Sequence, residues 1–299
     1  MCQFSAKKMT DTKVSENLKA ICLMVVAMAG FAIEDSIIKT LSERLAPGQV
    51  LIMIGIGGTS VFYVLAHIRN AGLTRSTVRD PWVIARSVSE LLGTVFFVLS
   101  LTLVPITVIS AVIQVSPLLV TLGAALLLGE KVGLRRWSAI TLGLFGVGVI
   151  LRPWDADFQP AVLFTVIGVI GLSARDLATR RVPVETSSLS LAILGMGATI
   201  PAGLLLMGFS SKILVPTSNE IILILLSIFI AVLAYSCIIR AMRIGEVSAV
   251  VPFRYSRLLF GVFIGVWYFG ESLDQWTVIG SAIVVTSGLY SLWREMRLS

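Results

Sequence analysis

The sequence predicts an all-α membrane protein of ten transmembrane helices, built as two inverted five-helix repeats, and three observations carry that expectation. Of its 299 residues 56% are hydrophobic and only 14% are charged, more apolar surface than one water-soluble domain can hide. The pattern Asp35, Lys39, Gly129-Glu130 returns as Asp176, Arg180, Gly270-Glu271 at a constant offset of 141, so two homologous halves lie end to end. The loop after the first Gly-Glu pair is basic, with Lys131, Arg135 and Arg136, whereas the loop after the second holds Ser272, Leu273 and Asp274. Short cytoplasmic loops accumulate Lys and Arg, which puts these equivalent loops on opposite sides of a bilayer.

A hydrocarbon core of about 30 Å needs roughly 20 apolar residues as a helix. Ten such runs follow in order: 18–38, 49–68, 82–103, 106–128, 134–151, 161–178, 188–208, 221–239, 247–269 and 276–292. They are apolar all round, unlike the alternating segments of about ten residues that build a membrane barrel. Ten spans place both termini on one side. Sixteen of the 24 basic residues fall on that side, from Lys7, Lys8, Lys13 and Lys19 at the start to Arg294 and Arg297 at the end. The other side receives Lys39, Arg44, Arg152 and Lys212, so both termini are expected in the cytoplasm.

The first run also has the basic start and the Ala27-Met28-Ala29 triplet of a cleavable leader. The repeat argues against cleavage, because Asp35 and Lys39 align with Asp176 and Arg180 and make the first helix a working part of its half. The organisation is then a cytoplasmic segment 1–17, a first repeat 18–152, a second repeat 153–293 and a cytoplasmic tail 294–299. A net charge of +7 reads as topology charge with some attraction to anionic lipid, not as a nucleic-acid surface.

Several chemistries are excluded by what the sequence lacks. Cys2, Cys22 and Cys237 have no metal-ligand spacing, and the single His67 sits at a helix end beside Arg69. Neither a phosphate-binding Gly-x-x-x-x-Gly-Lys-Ser/Thr loop nor a Gly-x-Ser-x-Gly elbow nor a His-Glu-x-x-His pair occurs, so no enzyme, cofactor or metal is expected.

The chemistry that remains lies in ionisable groups inside the spans, each costly in hydrocarbon and therefore expected to face protein or a water-filled cavity. In the first span Asp35 either points into the bundle or pairs with Lys39 at i+4, while its neighbour Glu34 aligns with Arg175. Arg86 and Glu90 stand i, i+4 in the third span as an ion pair, with Glu90 the deeper group and the candidate for carrying a proton. The sixth span carries Arg175 and Asp176. In the ninth, Pro252-Phe253-Arg254-Tyr255-Ser256-Arg257 places two arginines beside a proline that frees a backbone carbonyl. Guanidinium forks suit carboxylate, phosphate or planar acceptor edges, and Tyr255 or Phe253 can stack on a ring. Substrate contacts are therefore expected at Arg254, Arg257, Tyr255, Gln114 and Arg175, and proton coupling or ion pairing at Glu90, Asp35, Asp176 and Arg86. The competing reading neutralises the four arginines with Glu34, Asp35, Glu90 and Asp176. The fourth span answers the ninth with Gln114, Ser116 and Pro117, so kinks at Pro117 and Pro252 would make these spans facing walls of a pathway. The fifth and tenth spans, with Gly143, Gly146, Gly148, Gly280 and Gly288, read as packing scaffold.

The helix from Ala111 to Pro117 that runs into Leu127-Leu128-Gly129-Glu130-Lys131, and its counterpart Tyr268-Phe269-Gly270-Glu271-Ser272, resemble the EamA family of the drug/metabolite transporter superfamily. The resemblance covers about Glu16 to Trp293. It implies a bacterial inner-membrane secondary transporter of a small organic metabolite, amino-acid-like or a vitamin such as riboflavin. Its partners would be a small-molecule solute, the lipid bilayer and protons. Where many members of the family carry Glu-Pro in the ninth helix, this chain has Ser256-Arg257-Leu258, and Phe253 to Arg257 is similar to a proteobacterial subgroup that includes riboflavin importers. The alternative class is a non-transporting membrane protein, such as a lipid-modifying enzyme or a sensor subunit.

Overall fold

The computed structural model describes residues 2–130, 133–155, 158–208 and 213–296, so Lys131, Lys212 and Arg297 of the charge count lie outside the described residues. Besides a short helix Arg75–Arg79, ten long helical segments run in order: α1 Cys2–Leu41, α2 Pro47–Ile68, α3 Pro81–Leu103, α4 Ile106–Leu127, α5 Leu134–Leu151, α6 Val162–Thr179, α7 Ser188–Met207, α8 Ser218–Ile244, α9 247–267 and α10 Gln275–Met296. Among the described residues, nine spans are long and apolar enough to cross a bilayer. The segment outside that set is α9, which breaks into helix Val247–Val250, 3-10 turn Val251–Tyr255 and helix Ser256–Trp267 instead of forming the continuous span expected at 247–269. A shorter break interrupts α4 at Ile113–Val115. Pro117 explains it, since a proline ring clashes with the carbonyl four residues back and Ile113 stands there.

Polar residues set the helix ends. Asp80 caps α3 by accepting from Trp82 N at 2.9 Å and Val83 N at 3.1 Å, with Pro81 in the first turn. Thr217 and Glu220 form a reciprocal capping box, so α8 begins at Ser218, ahead of the apolar run at 221. Each half closes its fourth helix with the same turn. Gly129 at φ +71° and Gly270 at φ +64° take the left-handed conformation, and Glu130 N donates to Ala124 O at 3.1 Å as Glu271 N does to Gly265 O at 2.9 Å.

Packing crosses between the halves. The most extensive contacts are α1 with α8, α2 with α7, α3 with α6 and α5 with α10, and exchanging each helix for its counterpart five further on returns the same set. The agreement reaches single residues. A Cβ on Gly30 would come within 2.8 Å of Ala234 Cβ, and the repeat-related pair matches it, since a Cβ on Gly171 would come within 2.7 Å of Gly93 Cα. Small residues let helix backbones approach where no hydrophobic effect drives them together. Contacts of Gly48 with Met207, Gly55 with Ile200 and Gly58 with Met196 make α2 and α7 antiparallel, and Gly93 with Leu172 and Gly168 with Phe97 do so for α3 and α6. Because α2 and α7 are equivalent helices of the two repeats, their antiparallel packing leaves the second half inverted relative to the first. Large apolar side chains such as Ile56, Leu92, Phe145, Phe229 and Phe263 point outward, as lipid-facing residues of a multi-pass membrane protein do.

Candidate functional site

Among the described residues, the charged side chains that α9 joins inside the bundle form two groups, apart from the Lys39–Glu271 pair at one end. In the first, Arg86 Nη2 donates to the Tyr235 hydroxyl at 2.8 Å and stands 3.3 Å from Glu90 Oε2. Glu90 Oε1 accepts from Arg175 Nη1 at 2.7 Å. Arg175 also donates from Nε to Asp176 Oδ1 at 2.9 Å, and Asp176 Oδ2 accepts from Arg254 Nη2 at 3.2 Å. This relay joins α8, α3, α6 and α9. In the second group Arg257 Nη2 donates to Asp35 Oδ2 at 2.6 Å, tying α9 to α1, with the guanidinium 5.5 Å over the Phe31 ring and 5.8 Å over that of Phe97.

Local structure explains why α9 supplies both ends. Its 3-10 turn tightens the backbone from Val251 to Tyr255, and Arg254 and Arg257 then sit three residues apart across the junction with the following α-helix. Arg254 reaches the aspartate of the second repeat and Arg257 that of the first. Asp35 and Asp176 are themselves equivalent positions, so one helix serves both halves. Ion pairs in a low-dielectric interior hold their geometry only when hydrogen bonds satisfy both partners, and removing one partner costs about 3–5 kcal/mol. Arg86 is buried, 3% exposed, and its Nε and Nη1 make no hydrogen bond, so it retains donor capacity beyond Tyr235 and Glu90.

The remaining candidates fall elsewhere. Gln114 is buried on α4 and its Nε2 donates to Ser110 O at 3.3 Å, one turn back on its own helix. Ser116 accepts from Ser173 of α6 at 3.0 Å. Tyr255 is buried with its ring against Gly288 of α10 and its hydroxyl without a hydrogen bond, while the neighbouring Phe253 is exposed. Pro117 and Pro252 both stand at the interruptions of their helices. Lys39 is not the partner of Asp35. Its Nζ lies 3.5 Å from Glu271 Oε1 and donates to Val104 O at 2.7 Å, because Arg257 occupies the aspartate.

Sequence reasoning passed over Tyr235, and a lone phenol in an apolar run such as α8 was the available signal, since a buried Tyr hydroxyl needs a partner. It also passed over the role of Glu271, whose carboxylate accepts from Ile106 N at 2.7 Å and Thr107 N at 2.9 Å at the start of α4.

Comparison with known proteins places this architecture. The model of the EamA-like transporter family matches residues 18–152 and again 159–293. A riboflavin transporter of Rhizobium johnstonii is 28% identical over 92% of this chain and 91% of its own length. An S-adenosylmethionine uptake transporter of Rickettsia prowazekii is 25% identical over 94% of both chains. A pseudopaline exporter of Pseudomonas aeruginosa is 23% identical over 89% of this chain and 93% of its own. A crystal structure at 19% identity shares the fold with a TM-score of 0.62, covering 93% of this chain and 97% of that one. Two family matches that fall on the two halves of an inverted helical repeat leave one conclusion: the chain is a multi-pass membrane transporter of the EamA-like family, in the drug/metabolite transporter superfamily, and not an enzyme.

Proposed function

We propose that the chain is a secondary carrier that moves a small organic metabolite across a bacterial inner membrane by alternating access of its halves, with both termini in the cytoplasm. The observation that carries this reading is the charge relay from Tyr235 through Arg86, Glu90, Arg175 and Asp176 to Arg254. Charge inside a bilayer is expensive and marks solute or ion pathways. A solute with a carboxylate, phosphate or carbonyl edge competes with Asp176 for the planar fork of Arg254 and with Glu90 for Arg175. The acid released in that exchange becomes free to take a proton, which links solute movement to a gradient. Amino-acid-like solutes and vitamins such as riboflavin are the classes this chemistry accepts. Relatives named for uptake and for export are both similar to this chain over most of their length, so the fold alone does not set direction.

Liposomes containing only this protein, assayed for flux of labelled riboflavin, S-adenosylmethionine and amino acids, test the reading. Solute-specific flux is expected. A folded, reconstituted protein that passes none of them favours a non-transporting role. The coupling arm uses Glu90→Gln, which keeps shape and hydrogen bonding but cannot titrate. It is expected to lose gradient-driven accumulation and keep solute exchange. Full accumulation by Glu90→Gln excludes this carboxylate as the coupling group. Lost yield that is rescued by also neutralising Arg86 or Arg175, the two cations on this carboxylate, assigns it to the ion pairs instead.

A further inference from the structure

The repeat relates two ion pairs at opposite ends of the bundle, because Lys39 corresponds to Arg180 and Glu271 to Glu130. At the end away from the termini Lys39 lies 3.5 Å from Glu271, whose carboxylate also holds Ile106 N and Thr107 N, so the tips of α1 and α9 are tied to the α3–α4 turn. At the end bearing the termini Arg180 and Glu130 are 3.9 Å apart. Burial separates them: the far side chains are 18% and 12% exposed, the near ones 48% and 51%.

The difference does not arise in the turns themselves. Both Gly-Glu turns have the same left-handed glycine and the same six-residue backbone hydrogen bond. What differs is how the halves sit against each other. Both ends carry further bonds between halves, and those at the far end include ion pairs: there Arg44 Nε donates to Glu220 at 2.6 Å, Arg152 stands 3.3 Å from Asp274, and Gln49 and Leu214 bond reciprocally at 2.6 and 3.2 Å, whereas the near end has Ser187 Oγ donating to Ala71 O at 3.2 Å, Ser190 Oγ to Gly72 O at 3.3 Å and Glu246 N to Asn17 Oδ1 at 2.9 Å. Exchanging the conformations of two inverted repeats turns one end's geometry into the other's.

We propose that Lys39–Glu271 and Arg180–Glu130 are alternating latches, the first holding the far end shut in the state seen here and the second closing the near end in the opposite state. In that state Glu130 stands to the start of α9 as Glu271 now stands to Ile106, since the repeat places Val247 opposite Ile106. The proposal rests on the alternating-access reading and names the groups that enforce it. Closing both latches together would require each half to hold two conformations at once, so breaking one favours the other.

The test is a distance measurement on the full chain in lipid nanodiscs, with Cys2, Cys22 and Cys237 replaced by Ser and no solute added. Spin labels at positions 43 and 272 read the far end, and labels at 133 and 181 read the near end. In Glu271→Gln the far pair is expected to lengthen and the near pair to shorten, by about 5 Å, the scale of a one-turn displacement between packed elements. Lys39→Met, which leaves the carboxylate on Ile106 and Thr107, is expected to shift both distances in the same senses by less, and it carries the test if Glu271→Gln fails to fold. Unchanged distributions in both variants overturn the proposal. So does lengthening of the far pair with the near pair fixed, which means the ends open independently. Distances that stay fixed while parent liposomes show flux remove the latches and leave the carrier; distances that shift without flux for any solute do the reverse.

Discussion

Helices α4 and α9 occupy equivalent places in the two halves and break at overlapping register, Ile113–Val115 against Val251–Tyr255, yet one sets Gln114 and Ser116 beside its break and the other Arg254 and Arg257. The interruption therefore belongs to the duplicated scaffold, whereas the charge belongs to one copy. The aspartates follow the opposite rule. Asp35 and Asp176 are kept in both halves, and both are answered from α9. Symmetric acids facing an asymmetric pair of bases make a site with a defined polarity inside a backbone that has none, and that polarity is what a directional contact with an unsymmetrical solute requires.

Removing the cation from one of those pairs should produce the largest effect. Arg257→Ala leaves the buried Asp35 without its cation, and a loss of about 3–5 kcal/mol is expected, read as a lower melting temperature and yield in detergent. Adding Asp35→Asn should restore stability but not transport. Parent-like stability of Arg257→Ala would mean that the α9 charge does not hold the halves together.

A milder change sharpens the comparison. Arg254→Lys keeps the charge and loses the planar fork, so solute affinity should fall roughly tenfold, about 1.4 kcal/mol, with expression unchanged. The concentration dependence of flux reads this directly, and parent affinity in the variant removes Arg254 from solute contact. The smallest effect belongs to the neutral wall. Gln114 makes one 3.3 Å bond to its own helix, so Gln114→Leu should cost about 1 kcal/mol of stability or less and leave affinity within about twofold. A loss as large as that of Arg254→Lys would make the walls equal partners and end the asymmetry argued above.

The scaffold was readable because a bilayer allows few solutions. Runs of about 20 apolar residues must be helices, and the offset between Asp35 and Asp176 exposes the duplication. Ends were less readable where polar residues prolong a helix. The run at 221–239 became Ser218–Ile244 because the Thr217–Glu220 box starts the helix early and the turn with Arg240 and Arg243 continues it. The buried ionisable residues stood out in the apolar background, but their partners did not. Arg257 finds Asp35 across 222 residues and Arg175 finds Glu90 across 85, choices set by helix rotation and packing. Lys39 shows the limit: a four-residue spacing made Asp35 the natural partner, and a turn from the other half took the lysine instead.

The crossed pairing of helices bears on how the molecule is made. The principal partners of α1, α2, α3 and α5 all lie in the second half, so a ribosome that has delivered the first five spans has produced helices whose packing surfaces still face lipid. Asp35 enters the membrane 222 residues before the arginine that will neutralise it. Until Arg257 arrives, a carboxylate in that position is costly in hydrocarbon unless it stays at the wetted end of its helix. Completion of the fold is then a late event that waits for the ninth helix, which carries Arg257, and for the tenth, the principal partner of α5, so the order of synthesis makes the second half the template on which the first is finally ordered.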